Sequence, residues 1–100
     1  MLKHIVMWRF KEDAMGKSRN ENIDIFKTML ENLVGIVDEI VDLKVGKNII
    51  PGDTASDLVL NAEFQDIDSL NAYGQHPEHQ KVLAFGKQVI AERRAVDYEF

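Results

Sequence analysis

The sequence predicts an α+β sandwich, with one antiparallel sheet carrying helices on one face. Three observations lead there. Four segments, near residues 3–11, 39–46, 57–64 and 95–100, alternate with the two-residue period of a strand. Three others, near 18–33, 66–73 and 76–93, repeat apolar residues at helical spacing. No linker, internal repeat or low-complexity tract separates them, so residues 1–100 read as a single domain.

The first strand puts His4, Val6, Trp8 and Phe10 on one side and Ile5, Met7, Arg9 and Lys11 on the other. Residues 12–17, holding Asp13 and Gly16, read as a loop. Ser18 with Glu21 three residues on has the spacing of a capping box. The helix it opens carries Ile23, Phe26, Leu30 and Leu33 inward and is expected to end near Gly35. In the second strand Val41, Leu43 and Val45 oppose Asp42 and Lys44. A Pro51-Gly52-Asp53 loop precedes the third, where Leu58, Leu60, Ala62 and Phe64 share one face. Asp66 caps a short helix through Ile67, Leu70 and Tyr73 that Gly74 is expected to break. His76-Pro77 restarts a helix, because proline suits the first helical position and pushes the residue before it out of helical geometry. That helix is expected to reach about Arg93, leaving 95–100 as the last strand. The order β-α-β-β-α-α-β is the ferredoxin-like split βαβ pattern, with a four-stranded antiparallel sheet. Helices on one face leave the other open, with Ile5, Met7 and Val59 beside Arg9, Asn61 and Glu63. Such a half-apolar face suits sheet-to-sheet homodimerisation.

Twelve basic against seventeen acidic residues give a net charge of −5, which argues against nucleic acid and anionic membranes as partners. The Arg93-Arg94 pair is too small a basic cluster to reverse that, and Glu92-Arg93-Arg94 reads as a solvated face. The absence of cysteine removes disulfides, thiolate nucleophiles and cysteine metal sites. It fits a reducing compartment, and with an N-terminal stretch unlike a signal peptide it points to a cytoplasmic protein. Phosphate loops, dinucleotide fingerprints, H-E-x-x-H and G-x-S-x-G are all missing. Nothing in the residues demands a metal or another cofactor: His76 and His79 lack a third inward ligand.

Chemistry therefore falls to three histidines and a tyrosine. At about 100° per residue, His79 points into the stripe of Val82, Leu83, Gly86 and Ile90. It is either a core-edge histidine bonded to backbone or to Tyr73, or a neutral imidazole able to act as a general base. Tyr73 is either a buried ring with its hydroxyl at a rim, or the acid partner of His79 across one cavity. His4 shares a strand face with Trp8 and Phe10, and so faces a core or a cavity. His76 sits where an N-cap belongs.

In its opening Lys3-His4-Ile5-Val6-Met7-Trp8-Arg9-Phe10-Lys11, its Leu43-Lys44-Val45-Gly46-Lys47-Asn48 turn, its third strand and its closing Val96-Asp97-Tyr98-Glu99, the chain resembles the stress-responsive A/B barrel (Dabb) domain family. The most specific piece is the Tyr73-Gly74-Gln75-His76-Pro77-Glu78-His79 element. The resemblance implies a ferredoxin-like fold whose two subunits pack sheet to sheet into a barrel. Most members have no assigned reaction. In a plant polyketide-cyclase branch, a tyrosine and the second histidine of this element carry an aldol-type ring closure, which would make Tyr73 and His79 catalytic here. His4 matches a histidine of that cavity, and Leu58 stands where the cyclases have another. Some plant relatives carry magnesium, but this chain shows no carboxylate cluster to hold it. The candidate site is thus Tyr73 and His79, with His4, Trp8, Leu58 and His76 as ligand-lining residues. Three functions remain open. One is a homodimer binding a small apolar or aromatic molecule, with or without acid/base chemistry. The second is a non-enzymatic stress-response or oligomerisation module. The third is a monooxygenase-type member of the wider dimeric barrel superfamily. A binder should hold a closed cavity of roughly 300 Å³ or more between helices and sheet, with Tyr73 and His79 pointing into it; a structural module should have that space filled by Leu58, Phe64, Phe85 and their neighbours.

Overall fold

The computed structural model describes all of residues 1–100. Its elements in chain order are β1 (Leu2–Phe10), β2 (Asp13–Ala14), β3 (Lys17–Ser18), α1 (Arg19–Glu31), β4 (Asp42–Lys47), β5 (Leu58–Phe64), α2 (Ile67–Gln75), α3 (Pro77–Val89) and β6 (Ile90–Glu99). The main sheet runs β4-β5-β1-β6 with every neighbour antiparallel. The three helices lie on one face of it, in the ferredoxin-like arrangement that the sequence predicts.

The inner face is set by parity. His4, Val6, Trp8 and Phe10 of β1 are buried, as are Leu58, Leu60, Ala62 and Phe64 of β5. Ile23, Phe26 and Leu30 of α1, with Val82 and Val89 of α3, close over them. Phe26 holds the middle, its ring edge-on to Trp8 at 5.0 Å and to Phe10 at 5.7 Å. Gly86 of α3 sits against that ring. A Cβ there would lie 3.2 Å from Phe26 Cε1 and 3.1 Å from Ile90 Cδ1, so only glycine lets the helix come this close without displacing a neighbour.

The helix starts follow their sequence signals. Ser18 and Glu21 form the reciprocal capping box, and Asp66 caps α2 through the Ser69 amide at 2.8 Å. His76 ends α2 and caps α3, its Nδ1 accepting from the Glu78 amide at 3.1 Å.

Four boundaries differ from expectation. The 12–17 loop holds a two-stranded hairpin, β2 with β3, closed by Met15 and Gly16 at φ of 57° and 73°. Two positive φ values mark a type I′ turn, and methionine in place of the usual Asn or Asp hides it. Helix α1 stops at Glu31, and the chain continues in turns until Gly35 at φ 87°. Gly74 does not break α2, which runs one residue further until Pro77 forces His76 into extended geometry. Finally, α3 ends at Val89 rather than near Arg93. Residues 90–94 carry helix-forming Ala, Glu and Arg, yet they pair with β1 and lengthen β6 to ten residues. Ladder pairing outweighs local propensity there.

The outer face is uncovered. On it lie half-buried Ile5 and Val59, with Met7 41%, Val96 53% and Tyr98 46% exposed. Val96 and Tyr98 of the last strand thus point away from the helices, while Ile90, Arg93, Ala95 and Asp97 lie on the side facing them.

Methionine is strained at the left-handed position 15 where asparagine is not. Met15→Asn should therefore raise unfolding free energy by up to about 1 kcal/mol in urea titration; a loss of stability would show that the Met15 side chain contributes more than its backbone costs.

Candidate functional site

A cavity of about 270 Å³ opens between α3, α1 and the inner face of β1 and β6. Its lining includes His4, Trp8, Tyr73 and His79 together. Leu58 and His76 are not among the lining residues. Leu58 is buried in the core one rung along β5, where Leu60 lines the cavity, and the His76 ring is engaged in capping α3. Val6, Phe26, Leu30 and Leu60 form a buried apolar floor, and the exposed Leu83, Lys87 and Arg93 form the rim. The cavity is open and slightly smaller than the closed one expected of a binder. Phe64, expected to help fill it in a structural module, instead packs beside Tyr73 with ring centroids 5.0 Å apart.

A larger, polar cleft of about 640 Å³ lies under the 48–57 loop. Apart from Arg9, its charged groups already serve the fold. Arg19 Nε donates to the Phe10 carbonyl at 3.1 Å, the Phe10 amide donates to Asp57 at 2.7 Å, and Lys47 pairs with Asp24 at 2.8 Å.

Helix α2 delivers Tyr73 and the first turn of α3 delivers His79, and the two rings meet at 4.2 Å between centroids. Tyr73 is 2% exposed, and its hydroxyl has no hydrogen-bond partner. A buried orphan hydroxyl costs free energy, so proteins rarely leave one without a use. Burial pushes the Tyr73 phenol well above its ordinary value, against a smaller pull downward from the Arg93 guanidinium. The phenol stays protonated at neutral pH and is able to donate.

His79 Nδ1 lies 3.2 Å from the Gly74 carbonyl. A carbonyl only accepts, so this partner assigns the proton to Nδ1 and leaves Nε2 with a lone pair. Burial lowers the His79 pKa; the Gly74 carbonyl opposes this, and nearby His4 and Arg93 reinforce it. The result is a neutral imidazole at neutral pH, ready to take a proton. His4, 8% exposed, meets Asp97 with Nδ1 at 2.5 Å from Oδ1. That carboxylate accepts from the Nδ1 N–H, holds the ring in place and turns Nε2 of His4 away from Asp97. The site therefore combines a phenol donor, a neutral base and an oriented second histidine on an apolar floor.

Arg93, which lines the cavity, and Asp97, which bonds His4, are candidate site residues that strand parity alone did not single out. Both face inward because β6 pairs with β1, setting Asp97 opposite His4 and Arg93 opposite Trp8. The 92–94 charge cluster is not one solvated face. Arg94 pairs with Glu92 at 2.6 Å on the outer side, and Arg93 turns to the cavity. No group of three or more His, Asp or Glu side chains is placed to hold a metal ion. No helix is long and apolar enough to cross a membrane.

Comparison with known proteins adds the family. A model described as the stress responsive A/B barrel domain matches residues 2–100. The stress-response A/B barrel domain-containing protein DABB1 of Arabidopsis thaliana is 24% identical over 98% of this chain, which spans 46% of that protein's length. Among solved structures, a dimeric ferredoxin-like protein of unknown function from Bacteroides fragilis superposes with a TM-score of 0.88 at 30% identity, covering 99% of this chain and 95% of that one. A second dimeric ferredoxin-like protein, from Thermobifida fusca, gives 0.84 at 22% identity over 99% and 90%.

Protonating a buried imidazole is unfavourable, so His79 stabilises the fold fully above the ordinary imidazole pKa of about 6.5 and loses that contribution as pH falls through its lower folded value. In an NMR titration of the imidazole signals, His79 should show a midpoint below about 6.5; a midpoint above that value would contradict the burial and the tautomer assigned to it.

Proposed function

The chain belongs to the stress-responsive A/B barrel domain family, and on that premise we propose that it is a homodimer binding a small apolar or aromatic carbonyl compound in the cavity above β1, with Tyr73 and His79 as an acid/base pair. The observation that carries this reading is the Tyr73 hydroxyl, buried without a partner beside a neutral histidine. A ligand carbonyl oxygen would satisfy it.

The chemistry that suits this pair is ring closure of the aldol type. Tyr73 donates a hydrogen bond to the ligand carbonyl and polarises it. His79 Nε2 takes a proton from the carbon beside that carbonyl, leaving an enolate whose charge the phenol stabilises. The enolate carbon bonds to a second carbonyl carbon of the same molecule as that C=O π bond breaks. The alkoxide so formed takes the proton back from the His79 imidazolium, and no atom is lost. His4, oriented by Asp97, offers its Nε2 to the same space.

The structural neighbours named as dimers support a homodimer, and the open apolar sheet face is the surface of this chain suited to it. Its apolar side chains from three strands would meet the same face of a second copy. Sedimentation at micromolar concentration should give twice the 11.4 kDa chain mass. Val96→Glu, in the edge strand β6 beside Ile5, should return the single-chain mass; a wild-type monomer would refute the assembly.

The site reading separates from a structural one by a single oxygen. Tyr73→Phe removes an unsatisfied buried hydroxyl and should leave stability unchanged or raise it by about 1 kcal/mol, while weakening the binding of aromatic ketones such as acetophenone. His79→Gln should likewise keep the fold and lose the ketone. A Tyr73→Phe protein that melts well below the wild type, with ketone binding undetectable in both, would assign the residue to the structural module instead.

A further inference from the structure

The rim of the cavity has a sign. Two charged residues line it, Lys87 and Arg93, and no aspartate or glutamate does, although the whole chain carries −5. Neither cation has a partner: no carboxylate lies within ion-pair distance of either, and neither donates a side-chain hydrogen bond. The carboxylate nearest along β6 on the inner side, Asp97, is engaged with His4. Its neighbours Glu92 and Arg94 neutralise each other on the opposite side of the sheet. Arg93 is therefore an exposed, unpaired guanidinium facing inward across from Trp8, at the mouth of an apolar cleft.

We propose that the ligand of this cavity is an amphipathic anion, an apolar or aromatic body bearing a carboxylate, and that Arg93 is the residue that selects it by taking the carboxylate at the rim. The inference rests on the cavity being a binding site, as proposed above, and adds the class of molecule. The apolar body lies on Val6, Phe26 and Leu60, and a carbonyl along it reaches Tyr73. The carboxylate stays at the solvent edge, where a planar guanidinium holds two oxygens at once. Keeping the charge at the rim avoids burying it on a floor that offers no counter-ion. Lys87 adds a second, less directional positive charge on the α3 side of the same opening.

The single tryptophan, Trp8, lines the cavity and reports occupancy by its fluorescence. The probes are 4-phenylbutyrate and its neutral analogue 4-phenylbutanamide, titrated into the full chain at neutral pH. The wild type should bind the carboxylate about tenfold or more tighter than the amide, and added salt should narrow that difference. Arg93→Gln should remove most of the preference for the carboxylate, leaving the smaller part that Lys87 supplies, and Arg93→Lys should restore part of what is lost. Equal affinity of the wild type for both probes, or a preference undiminished in Arg93→Gln, would overturn the assignment while leaving the cavity as a binding site. Failure of both probes to perturb Trp8 would overturn the cavity reading and this inference together.

Discussion

The register of β1 between β5 and β6 is the constraint on which the rest of the molecule depends. Three pairings fix it: His4 lies opposite Ala62 on one side and Asp97 on the other, and Trp8 opposite Arg93. A slip of one residue would send His4, Val6, Trp8 and Phe10 to solvent and bring Ile5, Met7 and Arg9 inside. The small Ala62 beside His4 leaves room for an imidazole on the inner face. The same register sets the one carboxylate that orients His4 and the one guanidinium that faces the cavity. Fold and site are thus built together: the last strand, at the edge of the sheet, pairs with the first and brings residues 93 positions apart into contact.

On that sheet the helices place the remaining chemistry at a measurable cost. Tyr73 buries its whole ring yet leaves its oxygen unpaired, and His79 accepts desolvation for a single bond to the Gly74 carbonyl. A domain optimised only for stability would carry phenylalanine and leucine at these two positions. The compensation comes from ordinary sources: the Phe26 ring against Trp8 and Phe10, the reciprocal cap at Ser18 and the close approach at Gly86. Only two buried side-chain polar atoms lack a partner, Asn22 Oδ1 in α1 and the Tyr73 hydroxyl, and the second of them lies at the cavity.

Much of this is legible in the residues. Alternation assigns the inner faces of β1 and β5, helical spacing aims His79 inward, and the Tyr73 to His79 element brings two candidate groups together. What the sequence conceals is governed by partners distant in the chain. Residues 90–94 look helical in isolation and become strand because β1 offers a ladder. Arg93 then looks like half of a solvated pair until the sheet separates it from Arg94. Asp97 sits in an alternation whose apolar members, Val96 and Tyr98, face outward with Ile5 and Lys3; the half-exposed Asp97 lies on the helix side, and no residue of β6 is fully buried. The Met15-Gly16 turn is hidden for a local reason, since its first residue has no preference for the conformation it holds.

At the centre of this account stands the Tyr73 hydroxyl, a buried donor kept free for a ligand carbonyl. A crystal structure of the protein soaked with acetophenone tests it most directly. The account predicts the ketone oxygen within hydrogen-bonding distance of Tyr73 Oη, its methyl carbon towards His79 Nε2 and its ring on Val6 and Phe26. A Tyr73 hydroxyl bonded to a protein group, with the cavity closed by side chains and no ketone in it, would contradict the account.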